Sequence, residues 1–180
     1  NDMQLRRGET ISDTAHVLSR YTQGIVARVF AHQDLIDLAA NSDAPVINAL
    51  SDLSHPCQIL GDLMTIREKK GTLKGLRLAY VGDGNNVANS LLLGCATVGL
   101  NIAVASPKGF EPKEDIVRQA TDIAKQSGST VLITNDPLVS VQDVDAVYTD
   151  VWASMGQEAE HDERVAIMRP FSLTPELLKH

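Results

Sequence analysis

Apolar residues recur at helical spacing between Thr10 and Gln23, where Ile11, Ala15 and Leu18 fall on one face with Tyr21 a turn further on. A short apolar run follows from Ile25 to Phe30, interrupted by a single charge, Arg28. The pattern then predicts a helix over Gln33–Ala40 and a buried strand over Pro45–Leu50. Proline suits the first position of a helix, where its missing N–H costs nothing, so a helix is expected from Pro56 to about Lys70, stopping before Gly71. Beyond it the chain alternates. Strands are expected over Leu76–Val81, Ile102–Ala105, Val131–Thr134 and Ala146–Val151. Helices are expected over Asn86–Val98 and Pro112–Gln126, with a short one opened by Asn135-Asp136-Pro137.

Strands and helices alternating at such short intervals predict parallel sheets wound on both faces by helices. The fold class is therefore α/β. Residues before about 65 read as the end of one α/β unit and residues after about 75 as most of a second, with the helix from Pro56 connecting or flanking them. The last stretch, Thr174 to His180, reads as a helix cut short, and Asn1 is not an initiator methionine, so a piece of a longer chain is expected.

Composition narrows the function classes. The 180 residues carry a net charge of -7, which argues against nucleic-acid and membrane partners but leaves room for an anionic substrate held by a local arginine. Aromatic residues make up 4%, so the core must rest on Leu, Ile, Val and Ala. The two cysteines, Cys57 and Cys95, match no metal spacing and form no disulfide framework; free thiols in a reducing compartment are expected. No apolar run is long enough to span a bilayer.

Three loops, each following an expected strand, hold the candidate chemistry, because open α/β sheets bind ligands beyond the carboxyl ends of their strands. The first is His55-Pro56-Cys57-Gln58. At a helix start, a histidine donor and a glutamine amide could both address a small planar group beside the N-terminus; they could equally be helix caps. The second is Gly82-Asp83-Gly84-Asn85-Asn86, which lacks the third glycine of a dinucleotide fingerprint because Val stands at position 87; Asn85 reads as an N-cap. The third is Thr149-Asp150-Val151-Trp152-Ala153-Ser154-Met155-Gly156. Asp150 at a strand end could hold a ligand ammonium, and Trp152 and Met155 either close over a ligand or pack on the core. The charged run from Gln157 to Arg164 reads as a solvated helix or lid. Arg28 could bind phosphate in a forked geometry, or form a surface ion pair.

Five stretches together resemble the aspartate/ornithine carbamoyltransferase family, along essentially the whole chain. They are Asp13-Thr14-Ala15 with Val17-Leu18-Ser19, Ser51 to Gln58, Gly82 to Asn86, Thr134 to Pro137, and Asp150 to Glu158. The His-Pro-x-Gln element marks the family generally, and the Asp-x-x-x-Ser-Met-Gly loop marks its ornithine branch. The resemblance implies carbamoyl transfer from carbamoyl phosphate to the δ-amine of L-ornithine, giving L-citrulline and phosphate, in arginine biosynthesis. By position it implies that Arg28 and His55 are catalytic. It further implies that Gln4, Arg28, His55 and Gln58 bind carbamoyl phosphate, Gln4 from a loop reaching a neighbouring subunit's site, and that Asn86, Asp150, Ser154 and Met155 bind ornithine. Two domains with the site in the cleft between them are implied, both incomplete here: residues 1–65 would be the C-terminal part of a carbamoyl phosphate-binding domain and 66–180 an ornithine-binding domain incomplete at its C-terminus. No cofactor or metal, a cytoplasmic setting (an organelle matrix in a eukaryote) and a homotrimer or multiple of trimers are also implied.

The family's Ser-Thr-Arg-Thr-Arg phosphate loop would precede Asn1 and its His-Cys-Leu-Pro segment would follow His180; neither is in the chain. Other readings are a carbamoyltransferase for putrescine, aspartate or an acylated ornithine, a nucleotide-binding oxidoreductase domain, and a fragment inactive by itself.

Overall fold

A computed structural model of the chain describes residues 8–152 and 161–179. Two compact units make it up, Asn1–Cys57 and Gln58–His180.

The first unit holds α1 (Ile11–Tyr21), β1 (Ile25–Arg28), α2 (His32–Ala40) and β2 (Val46–Leu50). Thr10 starts α1 by accepting the Asp13 N–H on its hydroxyl at 3.0 Å. β1 and β2 pair in parallel from Ile25 opposite Val46, with α2 as the crossover between them. Leu35 and Leu38 of α2, Ala15 of α1 and Ile25 are buried. The register slips between Ala27 and Arg28, so Arg28 stands opposite Leu50 at the carboxyl edge of the pair. Such a bulge re-aims the side chain that follows it.

α3 (Pro56–Lys70) begins at the end of the first unit and continues into the second. The second unit then runs β3 (Arg77–Val81), α4 (Asn86–Val98), β4 (Asn101–Ala105), α5 (Glu114–Ser127), β5 (Val131–Thr134), α6 (Pro137–Ser140), β6 (Ala146–Tyr148) and α7 (His161–Met168). Single 3-10 turns follow at Arg169–Phe171 and Leu177–Lys179. The four strands form one parallel sheet in the order β5-β4-β3-β6, as the alternating pattern predicts. β3 and β4 are near-continuous apolar runs because helices cover both faces. On one face Leu78, Tyr80, Ile102 and Val104 pack against Ile59 and Leu63 of α3, Leu91 and Leu92 of α4 and Ala120 of α5. On the other, Ala79, Val81 and Ala105 meet Val141, Phe171 and Leu177. No helix among the described residues is long and apolar enough to cross a membrane.

From β3 the chain winds outward through β4 to β5, then returns to place β6 on the other side of β3. The carboxyl ends of β3 and β6 therefore flank the point where the winding reverses, the position at which such sheets open a ligand crevice. β6 is shorter than the apolar run suggests, ending at Tyr148 instead of Val151. Its ladder with β3 stops at the Tyr80–Tyr148 pair, and Thr149 then bonds the Val81 carbonyl through its hydroxyl at 2.8 Å instead of its backbone. Asp150 thus lies in the exit loop of β6, in the crevice region.

Candidate active site

In the first unit the candidate residues lie where β1 and β2 end. Arg28 is exposed at the bulge. From β2, the turn Ser51–Ser54 is knitted to itself and to its surroundings. The Ser51 N–H donates to the Ser54 carbonyl at 2.8 Å, the Ser54 N–H donates back to the Ser51 hydroxyl at 3.2 Å, and the Asn48 amide donates to the Ser54 hydroxyl at 2.9 Å. The Asp52 N–H reaches the Phe30 carbonyl at 2.8 Å, and the Asp52 carboxylate accepts the His32 N–H at 2.9 Å. His32 also meets the Ser51 hydroxyl, ring Nδ1 to Oγ at 2.9 Å. This network delivers a half-buried His55 to the mouth of α3, followed by Pro56 at its first position. The Cys57 thiol bonds the Asn48 carbonyl at 3.3 Å and is exposed.

In the second unit the exposed Gln58 sits in the first turn of α3 and donates Nε2 to Asp62 Oδ1, one turn on, at 2.9 Å. At the winding reversal, Asn85 does two jobs. Its Oδ1 accepts the Val87 and Ala88 N–H groups at 2.9 and 3.1 Å, capping α4, and its Nδ2 donates to Asp150 Oδ2 at 2.9 Å. The expected cap is therefore present, and it also orients a carboxylate across the crevice. Asn86 opens α4, half-buried, beside it. Gln4, Ser154 and Met155 lie outside the described residues.

Contacts between distant parts of the sequence surround this winding reversal. Asp83, at the exit of β3, forms a buried ion pair with Arg164 of α7. The charged run ending at Arg164 is thus not wholly solvated: Arg164 is 7% exposed, donates Nε to the Trp152 carbonyl at 2.8 Å, and stacks over the Phe110 ring at 5.0 Å. Trp152 is half-buried. Burial raises the Asp83 carboxyl above its ordinary value, and the Arg164 guanidinium takes back part of that rise. The buried Tyr80 hydroxyl donates to the Asp83 carbonyl at 2.8 Å. Its ring stacks on Tyr148, centroids 6.0 Å apart. Burial pushes the Tyr148 phenol up to about 12, with the Asp62 and Asp150 carboxylates adding to the rise. Burial raises the Tyr80 phenol as well, so both phenols are neutral at neutral pH.

The glycine turn between β3 and α4 serves chain packing. The Gly84 N–H bonds the Phe110 carbonyl at 2.8 Å, and a Cβ on Gly84 would lie 2.2 Å from the Pro112 nitrogen and 2.3 Å from the Glu111 carbonyl carbon. The close approach that a dinucleotide fingerprint reserves for a pyrophosphate is taken here by the loop after β4. The Thr134–Pro137 stretch is likewise structural. Asp136 caps α6 by accepting the Leu138 N–H at 2.9 Å, and Asn135 donates to the Ser106 carbonyl at 2.8 Å and to Glu111 at 2.9 Å.

Comparison with known proteins follows the same two-part division. The family model described as "Aspartate/ornithine carbamoyltransferase, carbamoyl-P binding domain" matches residues 1–68, and that of the "Asp/Orn binding domain" matches residues 74–180. The chain is 56% identical over 179 residues to an ornithine carbamoyltransferase of Pyrococcus abyssi, covering 99% of this chain and 56% of that protein. It is 55% identical to one of Anoxybacillus flavithermus, covering 99% of this chain and 57% of that protein. The solved structure of the Pyrococcus furiosus ornithine carbamoyltransferase superposes with a TM-score of 0.94 at 56% identity, over 99% of this chain and 57% of that one. The chain thus spans little more than half the length of the relatives it matches. Two domain matches in the family's order, together with this identity, establish that the chain belongs to the aspartate/ornithine carbamoyltransferase family.

Proposed function

We propose that the protein carrying this chain transfers a carbamoyl group from carbamoyl phosphate to the δ-amine of L-ornithine, giving L-citrulline and phosphate. The observation that carries this reading is Asp150 in the crevice beyond β6, its carboxylate oriented by Asn85 at 2.9 Å. A carboxylate held there suits the α-ammonium of an amino-acid acceptor, and relatives sharing more than half of these residues bear the name ornithine carbamoyltransferase.

In the proposed reaction the neutral δ-amine attacks the carbonyl carbon. A C–N bond forms, the C–O bond to phosphate breaks with its electron pair leaving on the phosphate, and the amine's proton passes to that departing phosphate. No enzyme nucleophile or cofactor is called upon; catalysis comes from positioning and from stabilising the developing oxyanion. Arg28 and His55 donate to the carbonyl oxygen, and Gln58 orients the carbamoyl amide. Asn86 and Asp150, with Ser154 and Met155, hold the amino-acid end of ornithine, and Gln4 serves a neighbouring subunit's site. Residues 1–65 belong to the carbamoyl phosphate-binding domain and 66–180 to the ornithine-binding domain. The family resemblance further supports a homotrimer or multiple of it, acting in arginine biosynthesis in the cytoplasm.

The test is citrulline formation by the complete gene product that contains these 180 residues, with putrescine, aspartate and acylated ornithine as competing acceptors. Ornithine should be preferred. Replacing one oxyanion donor typically slows turnover about 100- to 1,000-fold, which is the loss expected for His55→Ala. A preference for another acceptor, or near-normal turnover of that variant, would overturn the respective assignment.

A further inference from the structure

Gln58 is exposed and its carboxamide has two unlike ends. A carbamoyl group presents an amide N–H, so a useful Gln58 must turn its oxygen outward; turned the other way, it would present N–H to N–H. In the structure the choice is made from behind. The amide nitrogen donates to Asp62 Oδ1 at 2.9 Å. An ionised carboxylate only accepts, so the nitrogen is the one end that can face it. The Tyr148 phenol lies near this pair, close enough for the Asp62 carboxylate to raise it further than burial alone. Tyr148 is itself braced by its stack on Tyr80. Asp62 is half-buried on the sheet-facing side of α3, one residue before the buried Leu63.

We propose that Asp62 is a positioning residue for carbamoyl phosphate: it locks the Gln58 carboxamide with its oxygen turned outward to accept from the carbamoyl amide. This rests on the carbamoyl transfer reading above. It adds a second layer to that site, since Asp62 touches no substrate itself. The ordinary alternative is that Asp62 and Gln58 are a helix-stabilising pair four residues apart, with effects on melting alone.

A double-mutant cycle separates the two. In the complete gene product, KM for carbamoyl phosphate and KM for ornithine are measured for Gln58→Ala, Asp62→Ala, Asp62→Asn and the Gln58→Ala/Asp62→Ala pair. Asp62→Ala should raise KM for carbamoyl phosphate about five- to tenfold, the size of one ordinary hydrogen bond, and leave KM for ornithine within about twofold. Asp62→Asn, which keeps an acceptor oxygen of the same shape, should recover most of the loss. In the Gln58→Ala background, Asp62→Ala should add nothing. If the two effects multiply, or Asp62→Ala lowers the melting temperature without moving KM, the positioning role is overturned. If Gln58→Ala leaves KM for carbamoyl phosphate unchanged, the place of Gln58 in the site falls, and this proposal with it.

Discussion

Asn85 donates to Asp150 at 2.9 Å across the crevice between β3 and β6, while the oxygen of the same amide caps α4. Fold and candidate site therefore share one side chain, and substitution can separate the two roles. Asn85→Asp keeps a good cap but sets a second carboxylate against Asp150. The melting temperature should stay close to that of the parent while KM for ornithine rises by about tenfold, the equivalent of ~1.4 kcal/mol. Asn85→Ala should lose both functions, with the cap alone worth ~1 kcal/mol. Calorimetry and ornithine saturation curves on the same preparations distinguish these outcomes.

The Asp83–Arg164 pair should behave as a buried ion pair. Arg164→Met leaves Asp83 without its partner at a site 9% exposed, and a loss of roughly 3–5 kcal/mol in denaturant unfolding is expected. The sign with pH is also determined. Burial raises the Asp83 carboxyl above its ordinary value of 3.8, and removing Arg164 raises it further. A raised carboxyl favours the folded state only while protonated. Its contribution is thus complete below the unfolded value and lost as pH rises through the folded one. The deficit of Arg164→Met against the parent should therefore widen from acid towards neutral pH, and a constant deficit would sink the explanation.

Gly84→Ala should be destabilised more than Gly94→Ala. A Cβ at Gly84 meets backbone atoms at 2.2 and 2.3 Å, which cannot swing aside, whereas at Gly94 it meets the Ile59 Cγ2 methyl at 2.8 Å, the end of a side chain that can shift. Overpacking of the latter kind costs about 1–3 kcal/mol, and Gly84→Ala should exceed that range in urea titration.

The thiols should divide cleanly in Ellman's assay. Cys57 is exposed and should react at once. Cys95 is fully buried in α4, and its thiol is held far above the usual range by burial and, secondarily, by Asp62. It should react only on unfolding. Two prompt equivalents would contradict the packing of α4.

Much of this architecture was legible because it is local. Strand-helix alternation, the proline opening α3 and the Asn85 cap all depend on neighbours within a few positions. The Gln58–Asp62 pair was within reach too, being one helical turn apart. What escaped is what the fold brings together from afar. Arg164 sits in a run rich in charge and reads as surface, yet meets Asp83 from 81 positions away. The glycine turn suggests a phosphate cradle until the loop after β4 is seen to occupy it. The shortened β6 reflects a side-chain substitution for the ladder by Thr149, which no periodicity encodes.

The cap that Asp52 supplies to α2 makes one backbone amide informative about the candidate site. Ala31 offers α2 no side-chain cap, and the His32 amide is closed instead by a carboxylate 20 residues downstream, on the turn that presents His55. That hydrogen bond exists only while the turn is closed, so exchange of the His32 amide, a proton outside the site, reports on the segment that presents His55.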